Sequence, residues 1–160
     1  QGGVSQSLAQ ALELRNLAPL DAVSGHGIVG DVDEMKLIDY ARKISRAIPA
    51  TAQGIRVAGD SEKLISRVGL VAGAGDSFLG MASLAGIDLF ITSDLRHHPA
   101  QDFIEQSKLT DGPALIDIAH WAAEWVWLDQ AAAQLAGIHR DVEFIVSDLR
   151  TDPWDFAVMQ

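Results

Sequence analysis

Cysteine is absent from the 160 residues, so this chain has neither a disulfide framework nor a thiolate metal site. Any bound metal must use His, Asp, Glu or water, which favours divalent Zn, Mn, Fe, Ni or Co over iron–sulfur clusters or soft copper. A reducing cytoplasm is the simplest compartment for such a chain. Long apolar runs are missing too. No stretch is both long enough and uncharged enough to span a bilayer, so no membrane partner is expected. The opening Gln1-Gly2-Gly3-Val4 has neither the basic nor the apolar region of a signal peptide. It also lacks an initiator Met and reads as the interior of a longer gene product. Basic residues are scarce: 12 Lys and Arg face 22 Asp and Glu, a net charge of −10. A polyanion would meet overall repulsion, and no basic stripe is present, so no nucleic-acid partner is expected. Small anionic ligands remain within reach, because a local metal outweighs net charge at short range.

What is present is an ordinary apolar content, 48% of residues, enough to bury the core of one domain. The apolar pattern then alternates. Residues 5–14 read as a short helix with Leu8, Ala11 and Leu12 on one side. Residues 18–33 are rich in Pro, Gly and Asp around a short strand candidate, Ile28-Val29, and residues 1–33 could be a junction. Residues 35–48 predict a helix, capped by Asp31 or Asp33 and ended by Pro49. Strands are expected at 55–57, 68–72, 88–92, 114–118 and 142–146. Helices are expected at 77–85, begun by Asp76, and at 99–106, with Pro99 in the first turn. The longest helix is expected from 120 to 135, closed by Gly137, with residues 148–160 as an edge or tail. Strand–helix–strand repetition predicts a single α/β domain over 1–160, a mixed or mostly parallel sheet flanked by helices.

In such sheets ligands gather beyond the carboxyl ends of strands. Three of those ends carry polar groups, which share one rim if the strands are parallel neighbours. His120 and Glu124 form the sharpest pair. Four residues apart on a helix, an imidazole and a carboxylate can reach one cation; the plain alternative is a solvent-facing pair. Two ligands do not complete a site, so others must join. Asp94 could be a ligand, a base or the carboxylate that orients a ligating His; otherwise it caps the helix or pairs with Arg96. His97 and His98 follow it, and one of the two should face the rim unless both merely cover the helix start. Gly73-Ala74-Gly75-Asp76-Ser77 joins a strand to a helix, where glycines permit close backbone approach and Gly73, Gly75 and Ser77 could receive an anion. No Lys followed by Ser or Thr is present, so this is not a Walker loop, and Asp76 reads as a helix cap.

Gly25-His26-Gly27-Ile28-Val29-Gly30 matches a dinucleotide-loop string, but strand lies inside it rather than before it, and a bulged strand fits better. Trp121, Trp125 and Leu128 make an apolar helical stripe, with Trp127 on the side of His120 and Glu124. His26 and His139 have no supporting neighbours.

Three strings together resemble a known family. They are residues 68–76, Gly86-Ile87-Asp88-Leu89-Phe90-Ile91-Thr92-Ser93-Asp94-Leu95-Arg96-His97-His98, and Ala114-Leu115-Ile116-Asp117-Ile118-Ala119-His120-Trp121-Ala122-Ala123-Glu124. The combination resembles the carboxy-terminal half of the Nif-three-like dinuclear-metal-centre family, whose members carry the label of type 2 homologues of GTP cyclohydrolase I. The resemblance covers nearly the whole chain. It implies one half of a two-lobed fold, two metals held between the lobes, and a ring-shaped hexamer. The family's late His-x-x-x-Glu metal-ligand pair falls on His120 and Glu124. Its acidic residue and His after the Ile-Thr strand fall on Asp94 and His98, near the centre but outside the usual ligand set, and these two are the catalytic candidates. The family's early His pair and its His-Thr-Asn motif have no counterpart here. His97-His98-Pro99 only imitates the first, so part of the centre is all this chain should hold.

Two functions follow as expectations. One is a metal-dependent hydrolase acting on a nucleotide-like or phosphorylated substrate, as the family label implies. The other is a non-enzymatic metal-binding homo-oligomeric scaffold, or a regulatory or interaction protein.

Overall fold

The computed structural model describes residues 2–159. Its elements, in chain order, are α1 (Val4–Ala11), β1 (Arg15–Pro19), β2 (Ile28–Lys36), α2 (Leu37–Ala47), β3 (Arg56–Ala58) and β4 (Leu64–Ala74). A single 3-10 turn (Asp76–Phe78) and α3 (Leu79–Ala82) follow, then β5 (Leu89–Ser93), α4 (His97–Thr110), β6 (Ala114–Asp117), α5 (His120–Trp125) and α6 (Leu128–Ile138). The six strands form one sheet in the order β1-β2-β4-β5-β6-β3. β4, β5 and β6 run parallel, while β1, β2 and β3 each pair antiparallel. The sheet is therefore mixed, with helices on both faces.

Alternation along the strands sorts the core into two layers. Leu89, Ile91 and Ile116 face one layer with α1, α2 and α5, where Leu8, Leu37, Tyr40, Ile44 and Ala122 meet them. Phe90 and Leu115 face the other layer with α3 and α4, against Leu79 and Phe103. β5 is buried throughout, as an apolar central strand covered on both faces should be. In α2, Leu37, Tyr40, Ala41 and Ile44 recur at helical spacing, and all four are buried.

The structure corrects several expected boundaries. Met35 and Lys36 end β2, paired with Ile65 and Leu64, so the helix begins at Leu37 with Lys36, not an Asp, at its cap. Ladder pairing with β4 overrides the helical spacing there. β1, which the sequence did not suggest, pairs with β2 around a turn containing Gly25 and Gly27, both at positive φ (74° and 68°). Of the span read as a candidate junction, residues 2–33 contribute β1 and part of β2 to this sheet, with α1 packed against it. The helix expected over 77–85 shrinks to the 3-10 turn and the four residues of α3.

The long helix expected over 120–135 is two helices. Between α5 and α6 the bonding tightens, with Trp127 N–H donating to Glu124 O at 3.0 Å. Trp127 also gives its indole N–H to the Gly2 carbonyl (3.1 Å), which ties the break to the start of α1. Gly137 lies inside α6 rather than closing it, and the longest helix is α4, with 14 residues. The strand expected over 142–146 does not form. An apolar alternation becomes a strand only beside a free sheet edge, and among the described residues none lies alongside; Ile145 is 79% exposed. Among the described residues no helix is long and apolar enough to cross a membrane.

Candidate metal centre

The parallel trio β4, β5 and β6 ends at one rim, and three chain segments meet there. β4 runs into Gly73 and Ala74, β5 into Ser93 and Asp94, and β6 leads through Ile118 and Ala119 into α5. His120 is the first residue of α5, and Glu124 lies one turn on. Their side chains converge: His120 Nε2 lies 3.0 Å from Glu124 Oε1. The opposite ring nitrogen is held from β5, where His120 Nδ1–H donates to Asp94 Oδ2 at 2.6 Å. Asp94 takes the left-handed conformation (φ 54°), which Asp tolerates better than most side chains. All three side chains are part-exposed, so the site opens to solvent.

Gly73 supplies the clearance. At φ 84°, a Cβ placed on it would stand 3.2 Å from His120 Nε2 and 3.3 Å from Glu124 Oε1. Any other residue would crowd the very atoms that face each other across the gap. Thr92 fixes this loop from beneath: its buried hydroxyl donates to the Gly73 carbonyl at 2.9 Å. Gly75 is required for the same packing, because a Cβ there would collide with Thr92. Thr92 was missed in the sequence, where it reads as one more β-branched strand residue.

Burial alone would lower the His120 pKa. The hydrogen bond to Asp94 and the charge of Glu124 act the other way and win, so the imidazole sits above its ordinary value of 6.5. A carboxylate against each ring nitrogen favours the imidazolium form, in which both nitrogens donate. Loss of the Nε2 proton leaves a lone pair and a carboxylate oxygen pointing at the same gap. Two first-row metal bonds of about 2.0–2.2 Å span a ligand separation of roughly 3 Å. The pair therefore fits a divalent cation, with Asp94 as the outer carboxylate that commonly orients a ligating His. Among the described residues no group of three or more His, Asp and Glu is arranged to hold an ion, so this chain offers a partial donor set.

The other residues singled out in the sequence lie elsewhere. His97 and His98 open α4, exposed, with their rings 5.2 Å apart edge to face; neither ring hydrogen-bonds among the described residues. His97 lines a groove beside β3. Ser77 is exposed in the 3-10 turn. Asp76 does not cap that turn: it accepts the backbone N–H of Arg96 and pairs with the Arg96 guanidinium. Arg96 is thereby taken up, and Asp94 is left to His120. Trp121 and Trp125 pack together at 5.1 Å between ring centroids, half-buried.

Known proteins share this sequence pattern and fold. The family model described as Duf34/NIF3 (NGG1p interacting factor 3) matches residues 1–153. A Streptomyces coelicolor protein named GTP cyclohydrolase 1 type 2 homolog is 40% identical, over 95% of this chain and 56% of its own length. A Mycobacterium tuberculosis protein of the same name is 38% identical, over 91% of this chain and 38% of its own. The chain thus spans about half the length of the curated relatives it matches, or less. Among solved structures, a Bacillus cereus protein related to NIF3 superposes with a TM-score of 0.83 at 18% identity, over 98% of this chain and 70% of that one. At that identity the likeness bears on the fold alone.

Proposed function

The chain belongs to the Duf34/NIF3 family, and on that footing we propose that it is a metal-binding protein in which His120 and Glu124 form part of a dinuclear centre. One observation carries the reading: an imidazole nitrogen and a carboxylate oxygen converge at 3.0 Å over a glycine, while a second carboxylate steers the ring from behind. A divalent ion there would act as a Lewis acid and acidify bound water. The chain's own residues do the positioning. Asp94 keeps a proton on Nδ1 and so reserves Nε2 for the gap. Thr92 holds the Gly73 carbonyl and keeps the loop back from it. With two donors here, a complete centre would need ligands from beyond this donor set.

The reaction we favour is hydrolytic attack on a nucleotide-like or phosphorylated substrate. Support comes from the names of the relatives and from the open, strand-end position of the site. The cysteine-free sequence keeps the cytoplasm as the compartment we propose. Titration of the intact gene product that carries this chain with Co2+ tests the metal step. We expect visible ligand-field bands that saturate and that weaken in His120→Ala and Glu124→Gln; bands unchanged in both variants would refute it.

A second reading, a non-enzymatic oligomeric scaffold, has one observation in its favour. α6 buries no residue, and the tail beyond it exposes Trp154, Phe156 and Val158. Such apolar surface suits self-association, up to the family's hexamer. Metal uptake without metal-dependent turnover of nucleotides would select this reading over the first.

A further inference from the structure

On the face of the sheet away from α5, a groove of about 390 Å³ runs between the edge strand β3 and the first half of α4. That volume lies at the lower end of small-molecule sites. Ala58, Ala100, Ile104 and Leu115 give it apolar walls, and Arg56 and Asp117 also line it. Asp117 is the last residue of β6 and only 5% exposed. By strand alternation it shares the face of Leu115, not that of Ile116, and so belongs to the groove side. One of its carboxylate oxygens is paired with Arg56; the other, Oδ1, accepts no hydrogen bond. A buried carboxylate oxygen without a donor is costly and rare.

We propose that this groove is a second ligand site and takes a small planar molecule that carries an amide or lactam N–H. The charge pattern selects that class. Arg56 already neutralises Asp117, so a cationic ligand gains little and an anionic one meets the carboxylate. A neutral N–H supplies the donor that Oδ1 lacks, while the apolar walls cover the faces of the ring. Arg56 lies on a three-residue edge strand with its side chain 58% exposed, so its pair with Asp117 stays at the open rim and the ligand enters beside it. The inference stands apart from the metal centre, and its test adds no metal.

Amide NMR of the labelled chain, titrated with carbostyril and N-methylcarbostyril, is the test. The two probes differ in the lactam N–H alone. Carbostyril should shift the signals of Val57, Gln101 and Leu115 saturably, and the methylated probe should bind roughly tenfold more weakly. Asp117→Leu, which removes the acceptor, should bring the two affinities together. Ala100→Leu, which fills the groove from a helix without touching Asp117, should abolish binding while signals elsewhere stay in place. Equal binding of both probes, shifts remote from the groove, no saturable shift, or unaltered binding to Ala100→Leu would each overturn the proposal.

Discussion

Asp94 reaches across from the end of β5 to bond His120 at the start of α5, 2.6 Å between residues 26 positions apart. This contact exists because β5 and β6 are parallel neighbours, so the segments that follow them share one rim. Its consequence for metal binding is direct. Asp94→Asn cannot accept a proton-bearing Nδ1 as strongly, so the ring is less well oriented. Divalent-metal affinity should fall about 10- to 100-fold, the usual loss for an outer carboxylate, with the fold preserved. Calorimetric titration with Zn2+ measures it.

The same contact gives the metal-free protein a pH signature. His120 has its folded pKa raised, against burial, by Asp94 and Glu124. A raised imidazole pKa adds stability that is complete below the unfolded value, about 6.5, and is lost as pH rises through the folded value. The metal-free wild type should therefore lose a small part of its stability above neutrality. In Asp94→Asn that dependence should flatten, and the His120 ring signals should titrate at lower pH. Ring NMR and urea unfolding across the range report both.

Gly73→Ala should be harmful twice over. The left-handed backbone (φ 84°) disfavours any side chain, by about 1–2 kcal/mol. The new methyl would also press on both His120 Nε2 and Glu124 Oε1. Gly86→Ala provides the comparison: its φ is also positive, at 62°, but its Cβ would meet nothing. Both variants should lose similar stability in denaturant melts, and only Gly73→Ala should lose metal.

Thr92→Val keeps the shape of a fully buried side chain and deletes its hydroxyl, leaving the Gly73 carbonyl without that donor. A cost of about 1–3 kcal/mol is expected, measured as a lower urea midpoint at unchanged slope. Metal affinity should fall as well, since the loop that clears the site is no longer held down.

Local patterns carried the sequence reading well. The buried parallel strands announce themselves as continuous apolar runs, and His120 and Glu124 are neighbours by helical spacing alone. What was hidden depends on contacts distant in sequence. Asp94 could have paired with Arg96, its near neighbour, but Asp76 takes that guanidinium instead. Asp117 sat inside an apolar run and passed as a strand residue, although a charged group in such a run was the signal for the groove. Pairing with β4 made Met35 and Lys36 strand against their helical spacing. Val142 and Ile145 had the alternation of a strand with no edge to join.

The most direct test of the metal reading is elemental mass spectrometry on the intact gene product that carries this chain, beside His120→Ala and Glu124→Gln. The account predicts divalent metal close to or above one ion per chain in the wild type, and a clear loss in both variants at unchanged secondary structure. A wild type that stays empty after loading, or variants that keep their metal in full, would contradict it.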